Sequence, residues 1–340
     1  MVADESLLRT WHRLIKYRDP IVQSHVAGTR ISRLNGSLGI IKALNIERLS
    51  RKRRTRFEGI TSQVYKTFDE SEFNFIDLPE VEFLVRLPGY DVILNPSPIA
   101  NGHSLLCPQM AFKHPQYLFQ DCVTFACEIS FDTARRADFR LLFNSLGAYA
   151  SVNHLHFHMV WLRDSRFSGD SSITEDRIIP DIDLTLFPNG MLPIERTHIT
   201  TERLIDGVTI GVTTDSPARL VRFESHDRQP PSDIRRFSVV LNSFIADLQE
   251  NNIPHNVVWC PYGCVYVFPR QFQRNIDIAG DGADADGLHI AVIEAGGCVI
   301  CFSQSAFDSI TDEESVCDVF DRFVNLPHDK IVDLLHRCYG

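Results

Sequence analysis

The segment SVNHLHFHMVWL, Ser151–Leu162, contains three histidines that alternate with apolar side chains. In a β-strand, successive side chains point to opposite faces of the sheet. A strand over Val152–Leu162 would therefore put His154, His156 and His158 on one face and the apolar residues on the other, against a helix. We predict that three imidazoles share one surface of an α+β protein.

Three kinds of chemistry compete for this histidine cluster. An unprotonated imidazole, with an ordinary pKa near 6.5, can attack a phosphate ester and pass the phosphoryl group to a second acceptor. A zinc site is less favoured, because the outer histidines of a flat strand lie about 13 Å apart, a poor match to metal bonds of about 2 Å. A hydrogen-bonded structural cluster is the third possibility. The pattern favours nucleophilic catalysis at phosphorus, with the flanking histidines orienting the nucleophile and polarising the phosphate.

Short apolar runs on both sides of this segment predict a sheet with packed helices. The predicted strands are Glu82–Arg86, Tyr90–Leu94, Ser104–Cys107 and Phe139–Asn144, with a helix over residues 112–135. A similar order returns after Arg196, with strands at Gly207–Thr213 and Ala218–Glu224 and a helix over Ser232–Asn251. The chain is therefore expected to contain two related halves.

Two hairpin-like segments strengthen this expectation of an internal duplication. His255–Gln271 and Asp91–Gln109 each contain an apolar strand, a turn with proline, a glycine, a second apolar strand and a closing proline. We predict an active half over residues 61–195, which carries the histidine cluster, and a degenerate second half over residues 196–340. Residues 1–60 are predicted to form a basic segment that packs on the core.

The composition is that of an ordinary globular protein. The chain has 340 residues, of which 44% are hydrophobic and 23% charged, and it contains no long uncharged apolar stretch. The first residues interleave charges with leucine and isoleucine, which is not the pattern of an export signal. We expect a cytoplasmic protein with no membrane partner.

The nine cysteines are an odd number without a dense framework, which favours reduced thiols over disulfides. The spacings of Cys260 with Cys264 and of Cys298 with Cys301 resemble zinc-ligand spacings. However, Cys298–Cys301 lies within an apolar run, so we predict buried core cysteines and no metal.

Charge is distributed unevenly along the chain. Residues 1–60 contain 13 Lys or Arg against 5 Asp or Glu, whereas the whole chain has a net charge of −10. A protein this acidic should repel nucleic acid except at a local basic patch. We therefore expect no nucleic acid as a partner. The densest basic run, Arg51–Arg56, is compatible with a solvated surface, an anion-binding element or, less favourably, a nucleic-acid patch.

The segments around the cluster resemble a known family. The alternation His154-Leu155-His156-Phe157-His158 is similar to the motif of the histidine-triad nucleotide-binding superfamily. Four longer blocks are more narrowly similar to the GDP-hexose phosphorylases of animals and plants. These blocks are Phe143–His158, Asn95–Pro108, Arg33–Arg53 and Phe68–Phe75.

This resemblance implies a fold and a reaction. The implied fold is a histidine-triad-like, duplicated antiparallel sheet with packed helices, as in galactose-1-phosphate uridylyltransferase. The implied reaction converts GDP-D-glucose and inorganic phosphate into GDP and D-glucose 1-phosphate through a guanylylated His156, with no cofactor. His158 favours the glucose substrate, because plant relatives commonly have glutamine at that position.

The resemblance also assigns roles to individual residues. It implies that His156 is the nucleophile, that His154 orients it and that His158 faces the phosphate. Asn144 and Ser151 are implied to hold the α-phosphate. His103 is implied to contact the triad without contacting the substrate. Asn95 stands where many relatives have an aspartate that binds ribose hydroxyls.

Two further expectations concern charge at the phosphate site. Glu72 stands where relatives tend to have lysine, so another cation is needed if that lysine contacts phosphate. We expect Lys42 and Arg51–Arg54 to supply the positive field for the incoming phosphate.

Three alternatives stay open at this point. The protein could transfer the nucleotidyl group to water or to another acceptor. It could bind nucleotides without turnover, or it could be a zinc-binding scaffold.

Overall fold

The computed structural model describes residues 4–18, 30–46, 61–132, 135–162, 187, 190–199, 201–213, 215–226, 233–274, 276 and 288–340. The basic run Arg51–Arg56 lies outside these residues, and so does Ser232, the predicted start of a helix. Among the described residues, no helix is long and apolar enough to cross a bilayer.

The strands of the described residues form a three-stranded and a ten-stranded sheet. The small sheet consists of β1 (Arg30–Arg33), β2 (Ile41–Leu44) and β13 (Cys298–Cys301). The large sheet consists of β3 (Phe83–Leu87), β4 (Tyr90–Leu94), β5 (Asn101–Pro108), β6 (Phe139–Asn144), β7 (Phe157–Trp161), β8 (Thr201–Ile205), β9 (Val208–Thr213), β10 (Leu220–Ser225), β11 (His255–Cys260) and β12 (Cys264–Pro269). All neighbouring strands of the large sheet are antiparallel.

Helices and the small sheet cover the large sheet. The helices are α1 (Asp4–Arg18), α2 (Gln120–Phe131), α3 (Ile234–Glu250), α4 (Val292–Ala295), α5 (Gln304–Ser309), α6 (Glu313–Phe323) and α7 (His328–Tyr339). Along β6, Leu141 and Phe143 pack with residues of α2, α3 and α7, whereas Leu142 packs with the small sheet and α4 to α6. The large sheet is therefore buried on both faces, which accounts for its many apolar positions.

The order of strands reveals a duplication. The order across the sheet is β3-β4-β5-β7-β6-β11-β12-β10-β9-β8. Each half contains three strands, a long helix and two more strands, and in each half the fifth strand lies between the third and the fourth. The halves join where β6 pairs with β11, with Asn144 opposite Asn256. The predicted α+β fold with a large antiparallel sheet is confirmed.

The strands of the two halves match one another in a different way from the sequence prediction. By strand order, β11 and β12 are the counterparts of β6 and β7, so matching His255–Gln271 to Asp91–Gln109 is wrong. An apolar hairpin with proline and glycine is too common an outline to fix the correspondence. The matching connections also differ in length, because residues 145–156 join β6 to β7 whereas residues 261–263 join β11 to β12. The histidine-bearing connection therefore has no equivalent in the second half.

The strand predicted over Val152–Leu162 is too long. Strand β7 begins at Phe157, so His154 and His156 lie in an irregular segment and the predicted shared strand face is wrong. The backbone N–H of Leu155 bonds the carbonyl of His114 at 2.9 Å, and this loop contact replaces pairing with a strand.

The helix predicted over residues 112–135 begins later than expected, at Gln120. Gln109 and Lys113 adopt left-handed backbone conformations, with φ of 45° and 58°, which stop the chain from entering a helix there. Residues 113–119 instead form an irregular stretch that packs against the histidine segment.

Sequence patterns missed two features and correctly predicted a third. Strand β8 was missed, and so was the small sheet, in which β2 pairs with β1 antiparallel and with β13 parallel. The sheet connects the N-terminal region to the C-terminal one by long-range pairing, which no local pattern reveals. Cys298 and Cys301 are buried, reduced cysteines in β13, as predicted.

A buried ion pair links β6 to the segment that precedes β8. Arg140 Nε and Nη2 donate to the two carboxylate oxygens of Glu195 at 2.8 and 2.7 Å. Because both side chains are buried, Glu195→Gln leaves an uncompensated guanidinium, and we expect a loss of about 3–5 kcal/mol in the free energy of unfolding. Urea denaturation at neutral pH measures this loss.

The matched control is Asp247→Asn, which breaks the 2.9 Å pair with the half-exposed Arg337. Solvent screens this pair, so the expected loss is about 1 kcal/mol or less. Equal losses in the two variants would contradict the role given to the buried pair.

Candidate active site

The irregular connection between β6 and β7 forms one wall of a cavity of about 140 Å³. Six of the seven predicted site residues line this cavity: Asn95, His103, Asn144, Ser151, His156 and His158. The seventh, His154, does not. The second half of the chain contributes further lining residues, including His289, Val292 and Glu294. The cavity is therefore built from both halves.

His156 is held in one tautomer. Its Nδ1 lies 2.7 Å from the carbonyl oxygen of His154, so Nδ1 carries the proton and donates it. The lone pair of the neutral ring is then on Nε2. Burial lowers the pKa of His156 to about 4, which keeps the ring unprotonated at neutral pH. A neutral imidazole with a defined free lone pair is the form that a nucleophile requires.

The ring of His154 contacts backbone rather than His156. Its Nδ1 accepts from the N–H of Phe75 at 3.3 Å, and its Nε2 donates to the carbonyl of Met110 at 3.1 Å. The ring also stacks on Phe75, with centroids 5.5 Å apart. The contact between His154 and His156 is made by the carbonyl of His154, while its imidazole anchors the loop outside the cavity.

Gln116 fixes the backbone on both sides of His156, and the sequence patterns did not identify it. Its Oε1 accepts from the N–H of His156 at 2.9 Å, and its Nε2 donates to the carbonyls of His156 and Asn144 at 3.1 and 2.9 Å. Its own N–H donates to Asn153 Oδ1 at 3.0 Å. A polar amide within the run HPQYLF was the available signal, since buried amides satisfy several backbone groups.

His158 and His103 form a hydrogen-bonded pair in which the tautomer of one ring follows from that of the other. The N–H of Ile99 donates to His103 Nδ1 at 3.1 Å, so the proton of neutral His103 is on Nε2. That nitrogen lies 2.9 Å from His158 Nδ1, which accepts and leaves the proton of neutral His158 on Nε2. The amide nitrogen of Asn95 is also 2.9 Å from His103 Nε2, and its Oδ1 is occupied by the N–H of Ser97.

The side chain of Asn144 is oriented by two donors. Its Oδ1 accepts from the N–H of Val292 at 2.9 Å and from Asn256 Nδ2 at 2.7 Å. The amide NH2 is therefore the branch left to face the cavity that Asn144 lines. Ser151 is half-buried and lines the same cavity.

The predicted cations for phosphate are not at the cavity in the described residues. Lys42 is buried and donates to the carbonyls of Phe307 and Ile310, so it closes the C-terminal end of α5. Its predicted role at the phosphate is therefore wrong. Glu72 forms a 2.7 Å ion pair with Lys66. The Arg51–Arg54 run lies outside the described residues.

Metal ligation finds no support in the part of the chain that the structure describes. No group of three or more His, Cys, Asp or Glu side chains there is arranged to hold a metal ion. Burial raises the pKa of the Cys264 and Cys301 thiols to about 12, which disfavours the thiolate form.

Comparison with known proteins identifies relatives across both halves. The family described as "GDPGP1-like, N-terminal domain" matches residues 3–160, and "GDPGP1-like, C-terminal domain" matches residues 193–334. GDP-L-galactose phosphorylase 1 of Arabidopsis thaliana is 30% identical over 260 residues, covering 70% of this chain and 51% of that protein. GDP-D-glucose phosphorylase 1 of Danio rerio is 38% identical over 172 residues, covering 48% of each.

The matched regions span about half the length of these two relatives. Among solved structures, yeast Ap4A phosphorylase Apa2 in complex with Ap4A superposes with a TM-score of 0.54 at 12% sequence identity. The superposition covers 96% of this chain and 99% of that one. At this identity the likeness concerns the fold, and it agrees with the duplicated antiparallel sheet described above.

Replacing Gln116 should loosen the segment that carries His156. Gln116→Glu keeps the size but cannot donate to the carbonyls of Asn144 and His156, and it buries a carboxylate. We expect faster deuterium exchange at the His156 amide and a loss of roughly 2–4 kcal/mol in unfolding free energy. The control is Gln120→Glu, because the Gln120 amide donates to the hydroxyls of Thr124 and Ser238 rather than to the histidine segment. Unchanged protection of the His156 amide from exchange would contradict the role given to Gln116.

Three buried histidines should make the fold sensitive to acid. Burial lowers the pKa of His154, His156 and His255 to about 4, against an ordinary value of 6.5. Between those values the unfolded chain binds more protons than the folded one, so stability falls as the pH decreases from 6.5 towards 4. We expect the unfolding free energy in urea to be lower at pH 5 than at pH 7 by roughly 2 kcal/mol per histidine.

His255→Phe separates this effect from other titrations. His255 lies outside the cavity, and its Nδ1 donates to the carbonyl of Ile253 at 3.1 Å. The variant should lose about one third of the histidine-linked pH dependence. A pH dependence equal to that of the unmodified protein would show that buried histidines are not its source.

Proposed function

We propose, since this chain belongs to the GDPGP1-like family of GDP-hexose phosphorylases, that it cleaves GDP-D-glucose with phosphate to give GDP and D-glucose 1-phosphate. The observation that carries the proposal is the tautomer of His156, whose Nδ1 donates to the His154 carbonyl and whose Nε2 lone pair is available. His156 lines the same cavity as the other candidate ligands of the nucleotide.

In the first half-reaction, Nε2 of His156 attacks the α-phosphorus of GDP-D-glucose. A P–N bond forms while the bond from the α-phosphorus to the bridging oxygen breaks, and D-glucose 1-phosphate leaves. The Nε2–H of His158, whose position follows from the contact with His103, can donate a hydrogen bond to the departing oxygen and stabilise its charge. The product on the enzyme is a guanylyl phosphoramidate.

In the second half-reaction, an oxygen of inorganic phosphate attacks the guanylyl phosphorus. The P–N bond breaks, GDP is released and His156 returns to its neutral form, so atoms and charge balance over the cycle. The amide of Asn144 and the hydroxyl of Ser151 are suited to donate to the non-bridging oxygens, whose charge is redistributed in both transition states.

Asn95 is suited to bind a ribose hydroxyl. Its amide nitrogen is next to the protonated Nε2 of His103, which places two donors against each other. A ligand hydroxyl beside Asn95 would accept a hydrogen bond from the amide NH2. The choice of glucose over L-galactose rests on His158.

Replacing the nucleophile should abolish turnover. His156→Asn removes the attacking nitrogen, so we expect kcat to fall by at least about 10³-fold. His154→Asn and His158→Asn should lose less, because those groups do not bond to phosphorus. The control is His255→Asn, which replaces a histidine of similar burial and tautomer outside the cavity. Nucleotide chromatography with GDP-D-glucose, GDP-L-galactose and UDP-glucose measures these activities.

Withholding phosphate should trap the covalent intermediate. Incubation with guanine-labelled GDP-D-glucose should leave label on the protein that is stable to base and labile to acid, as expected for a phosphoramidate. Added phosphate should then release the label as GDP. GMP as the main product at saturating phosphate would instead indicate a hydrolase, and tight binding without any turnover would indicate a nucleotide-binding protein.

A further inference from the structure

The second half of the chain holds a buried guanidinium next to the cavity. Arg270 follows β12 and is 2% exposed. Within the described residues it has no carboxylate partner within 4 Å. Its Nη1 donates to the carbonyl of Ile290 and, at 3.2 Å, to Asn256 Oδ1, while Nε donates to the carbonyl of Gln271. The guanidinium carbon lies 5.4 Å from the ring centre of Tyr149.

Burying this charge is unfavourable by itself. Burial lowers the pKa of Arg270 to about 10, so the group is still protonated at neutral pH. A buried charge without a close counter-ion costs several kcal/mol. Tyr149 and Glu294, the acidic groups that act on Arg270, both line the cavity. The positive charge is therefore adjacent to the space where we place a nucleoside diphosphate.

Hydrogen bonds connect Arg270 to the candidate phosphate site. The backbone N–H of Val292 can only donate, so the atom of Asn144 that it contacts is the carbonyl oxygen. Asn256 must then present its NH2 to that oxygen, at 2.7 Å, and its own oxygen to Arg270, at 3.2 Å. Each amide in the chain Arg270–Asn256–Asn144 thus has one possible orientation.

We propose that Arg270, acting through Asn256, is a positioning residue that holds the Asn144 amide as a donor to one non-bridging oxygen of the α-phosphate. This inference rests on the proposed function and adds to it the residues that orient the donor to that phosphate. The guanidinium fixes Asn256, Asn256 fixes Asn144, and the NH2 of Asn144 faces the cavity. The half of the chain that lacks the histidine-bearing connection thereby supports the reaction in the other half.

The decisive variant is Asn256→Asp. Its carboxylate accepts from Arg270 but cannot donate to the Asn144 oxygen, and it attracts the NH2 of Asn144 away from the cavity. Arg270→Met removes the positive charge and the guanidinium N–H donors. The matched control for Asn256→Asp is Gln249→Glu, another buried amide-to-carboxylate change, in α3, where Gln249 bonds both backbone groups of Leu118. Arg219→Met, at a guanidinium bonded to Leu326 and Asp321, is the control for Arg270→Met.

The readout is the choice between the two diastereomers of GDP-D-glucose that carry sulfur on the α-phosphorus. A single donor aimed at one non-bridging oxygen makes the enzyme discriminate between them, and a loss of stability alone does not alter that ratio. We expect the wild type to prefer one diastereomer by about tenfold or more in kcat/KM. In Asn256→Asp and Arg270→Met the ratio should fall towards one and kcat should fall by about 10- to 100-fold, with smaller changes in KM.

Both controls should keep the wild-type ratio. Wild-type turnover with an unchanged ratio in Asn256→Asp would overturn this inference alone, and that variant gives the result even when Arg270→Met does not fold. Absence of turnover in the wild type on either substrate would overturn the proposed function and this inference together. The two failures are therefore distinguishable.

Discussion

The hydrogen bond from His156 Nδ1 to the carbonyl of His154 is the contact on which the proposed chemistry depends. It forms only if residues 151–156 leave extended geometry and turn one carbonyl towards a side chain two positions later. The structure enforces this with long-range partners, since Gln116 bonds both backbone groups of His156 and the imidazole of His154 bonds Phe75 and Met110. The tautomer of one ring is thus a consequence of contacts between several loops.

The duplication explains why only one half carries this arrangement. Both halves share the order of five strands and the position of one long helix, so the scaffold alone does not distinguish them. The difference lies in the connection between the last two strands, which spans residues 145–156 in one half and residues 261–263 in the other. A three-residue turn has no room for a loop that bends back on itself and is satisfied by distant amides. The proposed chemistry is therefore a property of one loop placed on a repeated scaffold.

The sequence predicted the parts of the fold that depend on local periodicity. Tyr90–Leu94 and Phe139–Asn144 are strands with the predicted bounds, and the α+β class follows from such segments. The alternation His154-Leu155-His156 was misassigned to a strand, because alternation describes which side chains are apolar and not which partner the backbone finds. Six of the seven predicted site residues line the cavity because the family motif carries their positions. Gln116, Asn256 and Arg270 were missed, since their roles arise from contacts across the sheet that leave no periodic signal.

The proposed binding of phosphate in a chain of net charge −10 calls for donors that are held firmly towards the ligand. Lys42, one of the cations that the sequence favoured, instead donates to carbonyls at the end of α5. Arg270 donates to Asn256, which in turn contacts Asn144. The backbone N–H of Val292, also from the second half, orients the same asparagine. The two halves are therefore complementary at the cavity, because one contributes His156, His158 and Asn144 and the other contributes the two donors that orient the Asn144 side chain.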